Sequence, residues 1–172
     1  LPFLSDLAGT TQSDAVRTAC NRAIERLGGA SGTTAAMYRS LADAYYMDQK
    51  EVTSFPGEDH QILWGFAPGA GLLMTAIRTP VYHEAMAMQL LERAMQVEGA
   101  AGGVTPDTLA MWVAANFSRE TDTPDGYVNP AYPVTGAAEP GQKARRGAMY
   151  FAVAAGADIS QRVLARAIAD KD

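Results

Sequence analysis

The chain has 172 residues, enough for one ordinary domain with a real core and too few to need a hinge. Hydrophobic residues at 48% and charged residues at 19% describe a globular protein, and the formal charge of −5 argues against general binding to nucleic acid or anionic lipid. A single cysteine, Cys20, excludes an internal disulfide and a multi-cysteine metal site.

The chain opens on Leu1 without an initiator Met, which leans toward a processed or exported protein, while the compartment stays open because no signal-peptide pattern is visible. In the lead-in, Leu1, Phe3, Leu4 and Leu7 are expected to dock on the body. From a cap at Thr11 or Ser13, the spacing of Val16, Cys20, Ala23, Ile24 and Leu27 predicts an amphipathic helix ended by Gly28 and Gly29. Cys20 sits on its apolar stripe, where a free thiol acts as a small hydrophobe. A second helix capped near Thr33 places Met37, Tyr38, Leu41, Ala44 and Tyr45 on one side and is expected to run to about Val52.

Ser54 to Gly57 is a break, Glu58 to Trp64 reads as a short helix with an acidic start, and Leu72 to Arg78 as another helical piece. The Gly65 to Gly71 stretch between them is too apolar for an ordinary surface loop and is expected to pack inside. The longest uncharged run, Gln61 to Ile77, is broken by glycine and proline and reads as core rather than a membrane span. From Gln61 to Ser118 the charged residues are only Arg78, Glu84, Glu92, Arg93, Glu98 and Asp107, so this third of the chain is expected to be the most buried.

Thr79 to Glu98 carries the strongest helix signature, with a Thr-Pro start and Gly99 at the stop. At 100° per residue, Tyr82, Met86, Leu90 and Val97 form one apolar face and Val81, Met88, Leu91 and Met95 another. Two apolar faces need two sets of neighbours, so this is expected to be the central helix. Thr105-Pro106 repeats the start signal and opens a second buried helix through Leu109 to Ala115, with Trp112 as an anchor.

Ser118 to Gly141, rich in proline and glycine, reads as one long irregular loop laid on the body by Tyr127, Val128, Tyr132 and Val134. Pro140 is expected to open a helix through Ala155, and Asp158 to Gln161 resembles a capping box starting the last helix. No repeat and no sustained strand alternation is visible. The sequence therefore predicts an all-α, single-domain bundle of six to eight unequal helices around a central buried helix, over residues 1–172.

Few residues carry chemistry. No metal-ligand spacing is present, and Asp122 to Gly126 reads as an ordinary turn rather than a calcium loop. His83 and Glu84 fall within the buried arc of the central helix, in its first turn. They are the candidate ligand-binding residues, with His60 and Trp64 as the expected neighbours. Lys143, Arg145 and Arg146 lie near a helix start, where the dipole disfavours cations; they form a solvated face or a patch for an acidic partner or carboxylate ligand.

Glu120, followed by Tyr127-Val128-Asn129-Pro130, Gly136-Ala137 and Gln142, resembles a stretched catalytic segment of lytic transglycosylases, whose helix-terminal Glu is a general acid. That resemblance implies an acid role for Glu120. It covers a short part of the chain, with Thr121 where the family has Ser and the Gly-Leu-Met/Trp-Gln signature missing.

The leading expectation is a non-catalytic helical subunit or binding module that engages a protein partner or a hydrophobic small molecule, alone or as an oligomer. The alternative is a hydrolase or lyase using His83 with Glu84, or Glu120, as acid or base. Composition names no cofactor. A buried His83 and Glu84 facing a pocket favour the enzyme, and an exposed patch of Met, Tyr and Leu favours the partner.

Overall fold

The computed structural model describes residues 1–133 and 146–170. These form seven helices, α1 (Pro2–Thr10), α2 (Asp14–Arg26), α3 (Thr34–Tyr46), α4 (Tyr82–Ala100), α5 (Pro106–Asp122), α6 (Ala148–Ala155) and α7 (Ala157–Asp170), and two strands, β1 (His60–Ala67) and β2 (Gly71–Arg78). The chain is mostly helical, but it is not all-α. None of the described helices is long and apolar enough to cross a membrane.

Helix starts follow local capping chemistry. Ser13 Oγ accepts the Val16 N–H at 3.4 Å, Thr33 Oγ1 that of Ala36 at 3.2 Å, and Thr105 Oγ1 that of Thr108 at 3.3 Å. The lead-in is itself helical, and of the expected apolar contacts Phe3 makes one, its ring edge to face with Tyr38 at 5.3 Å, while a polar contact does the rest. Leu1, Phe3 and Leu7 are exposed, while Pro2 and Asp6 are buried. Asp6 Oδ2 accepts from the Tyr38 hydroxyl at 2.9 Å and from Arg93 Nε at 2.6 Å, so an ion pair fastens α1 to α3 and α4.

The largest departure is the stretch from His60 to Arg78, where two expected helical pieces are the strands of an antiparallel hairpin paired His60 to Arg78 through Ala67 to Gly71. The Ala70 N–H donates to Ala67 O at 3.1 Å across Pro68 and Gly69, and Gly69 has φ +85°. Proline followed by a left-handed glycine is a reversal signal, and the β-branched and aromatic residues Ile62, Trp64 and Phe66 suit a pleated ribbon. The Gly65 to Gly71 stretch is therefore a hairpin tip in solvent, not a loop packed inside. Residues 61–118 are the most buried part of the described chain, as expected, but that burial lies in α4 and α5 rather than in the hairpin. Only Gln61, Leu63 and Ile77 of the hairpin are buried.

Helix α3 ends at Tyr46 rather than near Val52, followed by a 3-10 turn over Lys50–Val52. A second 3-10 turn, Thr79–Val81, leads into α4. Thr79 is not a cap: its hydroxyl donates to Glu58 O at 2.5 Å and thereby ties the base of the hairpin. Helix α4 packs against both α3 and α5, with Tyr82, Ala85, Met88, Leu90, Leu91 and Ala94 buried. Its far end is held by buried Glu98, which accepts from the Thr105 N–H at 2.9 Å, Thr108 Oγ1 at 2.7 Å and Arg39 at 3.2 Å.

Helix α5 reaches Asp122, so the irregular segment starts later than Ser118. Gly156, at φ +90°, separates α6 from α7, and α7 is tied back by Arg162 to Asp107 at 2.8 Å and by Arg166 to Asp43. Val134, Gly136, Ala137, Glu139, Pro140, Gln142, Lys143 and Arg145 lie outside the described residues, as does the expected start of the helix at Pro140.

Candidate functional site

His83 and Glu84 are the second and third residues of α4, and both are buried. They line a pocket of about 660 Å³ with Asp48, Thr53, Thr79, Pro80 and Asp122. The α3–β1 connection supplies the opposite wall. Its first bend is made by Asp48 at φ +51°, a left-handed conformation that aspartate tolerates better than most residues. The 3-10 turn that follows brings Thr53 over the imidazole.

The contacts there are short. Thr53 Oγ1 lies 2.8 Å from His83 Nε2, and Asp48 Oδ1 lies 2.9 Å from Nδ1. The second contact is close but poorly aligned, leaving the buried Nδ1 without a well-directed acceptor. Tyr45 meets the His83 ring edge to face at 5.8 Å, and Tyr82 lies tilted against it at 5.6 Å. The ring is thus packed in at 9% exposure, whereas the Asp48 side chain is 65% exposed. Burial pushes the ionisation of the Tyr45 hydroxyl up, helped by its hydrogen bond with Tyr82, so Tyr45 stays protonated beside the imidazole.

A second concavity lies on the other side of Tyr82. The hairpin face bearing Ile62, Trp64, Phe66 and Leu72 overhangs Met86, Gln89, Leu90 and Arg93 of α4, enclosing about 730 Å³ with Phe3 and Tyr45. Gln89 Nε2 donates to Trp64 O at 3.0 Å and holds the overhang in place. Strand pairing sets Trp64 beside Met74 and Phe66 beside Leu72, so four large apolar side chains share one face. They are 52%, 63%, 75% and 67% exposed respectively. A third, smaller apolar hollow of about 360 Å³ separates α5 from α6 and α7, with Met149, Val153 and Leu164 at its edge.

The four candidate residues are therefore split. His83 and Glu84 share the first pocket, Trp64 lines the groove, and His60 is exposed at the start of β1, lining neither. Asp48 and Thr53 escaped sequence reasoning because nothing in Met47-Asp48-Gln49 or Thr53-Ser54 marks them. Phe66 and Leu72 had a signal, alternate spacing around Pro68-Gly69.

Glu120 is engaged structurally, its Oε1 accepting the Ala148 N–H at 2.8 Å to hold the start of α6 and pairing with Arg119 at 3.3 Å. Arg146 is exposed and lies over the Tyr150 ring at 4.5 Å. After Asp122, the Tyr127 N–H donates to Pro124 O at 3.0 Å, closing a turn with Gly126 at φ +75°. Among the described residues, no group of three or more His, Cys, Asp or Glu is arranged to hold a metal ion. In comparisons with known proteins, the chain matches no family model, no curated protein and no solved structure.

Proposed function

We propose that this chain is a helical binding module, and that the groove between the hairpin and α4 engages an apolar segment of a protein partner. In this reading α4 is the central helix of a single-domain bundle over residues 1–172, flanked by α3 and α5 and roofed by the hairpin. The observation that carries it is the exposed face of Trp64, Phe66, Leu72 and Met74. Leaving that much apolar surface in water is unfavourable by about 25 cal/mol per Å², and such surface on a folded chain marks a contact site.

The apolar face continues past the groove to Met74, which does not line it, so the surface is longer than a small molecule needs. That favours a protein segment over a hydrophobic small molecule. Gln89, Glu92, Arg93 and Gln96 give the α4 side a polar rim, the usual composition around an apolar contact centre. The net charge of −5 supports a partner that is not a nucleic acid.

The test is titration with an environment-sensitive apolar fluorophore and with a short amphipathic peptide, read by dye emission and Trp64 fluorescence. The parent is expected to bind. The Phe66→Asp/Leu72→Asp double variant is expected to lose at least about tenfold in affinity with its helical circular dichroism unchanged. Equal binding by parent and variant would remove the groove from the account.

A further inference from the structure

The contacts around His83 do more than satisfy a buried ring. We infer that Asp48, His83 and Thr53 form a carboxylate–imidazole–hydroxyl relay in which the Thr53 hydroxyl is an acyl-accepting nucleophile toward small uncharged or cationic esters. The two ring nitrogens face different groups, Thr53 Oγ1 at 2.8 Å from Nε2 and Asp48 Oδ1 at 2.9 Å from Nδ1. With the ring neutral and its proton on Nδ1 toward Asp48, Nε2 is the acceptor and the Thr53 hydroxyl donates to it. This is the arrangement in which a hydroxyl can lose its proton as it attacks.

Two further observations point to chemistry rather than mere satisfaction of a core histidine. Thr53 is only partly buried and lines a cavity of about 660 Å³, so the residue is reached from that cavity. The imidazole is packed against Tyr45 and Tyr82, and the exposed Asp48 carboxylate stands 2.9 Å from its buried Nδ1, which has no better-directed acceptor. The first turn of the 19-residue helix α4 lines the same cavity, and its positive dipole end there offsets part of the Glu84 charge carried on that turn. Glu84 and Asp122 on the walls disfavour an anionic acyl group by charge, which gives the substrate class.

In the reaction Thr53 Oγ1 bonds to the ester carbon while its proton passes to His83 Nε2. Collapse of the tetrahedral adduct breaks the ester C–O bond, and the leaving alcohol takes that proton. Water then gives a proton to Nε2, attacks the acyl–Thr53 ester and releases the acid, the proton returning to Thr53. Thr53 and His83 are the catalytic residues, and Asp48 is a positioning residue acting through His83.

The experiment uses the whole chain with an uncharged alkyl fluorophosphonate, whose phosphorus is attacked by Thr53 with loss of fluoride, and with p-nitrophenyl acetate as the turnover probe. Intact-mass and peptide mapping are expected to place one adduct on Thr53. Thr53→Val, which keeps side-chain shape, is expected to abolish both adduct and turnover; Thr53→Ser is expected to keep them. His83→Gln is expected to lower the labelling rate by about 100-fold or more. Asp48→Asn is expected to lower it and Asp48→Glu to restore it, a rescue that a purely structural carboxylate would not give. An adduct elsewhere, no adduct, or equal turnover by Thr53→Val overturns the relay, and because no groove residue is altered none of these outcomes bears on the groove.

Discussion

Tyr38 shows how much of this molecule hangs on single buried polar atoms. Burial, followed by the Asp6 carboxylate that its hydroxyl donates to, pushes its ionisation up from 10.0 to about 12. A hydroxyl harder to ionise in the folded than in the unfolded chain binds its proton more tightly when folded. Its contribution to stability is therefore complete below about pH 10 and is lost as pH rises from about 10 toward 12. Tyr45, raised by burial, adds to the same alkaline loss. Urea midpoints are expected to fall across that window, and Tyr38→Phe is expected to flatten the fall while costing about 1 kcal/mol at neutral pH for the lost hydrogen bond. An unchanged alkaline slope in the variant would move the effect to other groups. At this scale the sequence was partly legible. His83 and Glu84 were placed inside by helical spacing alone, whereas Asp6 and Tyr38, 32 residues apart, meet only because α1 folds back on α3.

Among the elements, the hairpin is where local pattern and outcome diverged, and its turn is the place to test why. Gly69 sits at φ +85° with open space around its Cβ position, so Gly69→Ala meets no steric contact and reports backbone strain alone. Placing a side chain in the left-handed region costs roughly 1–2 kcal/mol. The variant is expected to lower the urea midpoint correspondingly, and Gly69→Asn, which tolerates that conformation better, is expected to lose less. Equal midpoints would mean the hairpin opens before the body unfolds. Capped helices were legible because a Ser or Thr side chain closes its own first turn, as at Ser13, Thr33 and Thr105. The strands were not. Gly65, Pro68, Gly69 and Gly71 look like interruptions of a helix as readily as hairpin punctuation, and β1 and β2 keep large apolar residues on the face that meets solvent. Alternation was masked by that exposed apolar face, so the same residues that hid the strand define the candidate groove.

In the whole molecule, the N-terminal pair stands apart from the rest. Helix α2 packs mainly on α1, with Cys20 its only buried residue, and α1 reaches the body through α3 and the Asp6 ion pair. The connection to α3 runs through Gly28, Gly29 and Gly32, all at positive φ and all with open space around them or only Ala36 nearby. By contrast, the described segment after α5 is held: Tyr127 Oη accepts the Arg78 N–H at 3.1 Å, and Asn129 Oδ1 accepts from Ala131 at 3.0 Å and Tyr132 at 3.2 Å. Of these two connections, residues 28–32 are therefore expected to be cut first by a broad-specificity protease. Whether the pair opens as a unit depends on Asp6. Asp6→Asn removes the charge that Arg93 pairs with, and because the Arg93 side chain is about half exposed, solvent screening limits the cost to about 1–3 kcal/mol. Hydrogen exchange is expected to speed up across α1 and α2 while α4 and α5, which lose only the Arg93 pairing and keep their packing on each other and on α3, retain parental protection. Faster exchange everywhere would make the pair an integral part of one cooperative core, and Asp6 a core residue rather than the fastening of a separable arm.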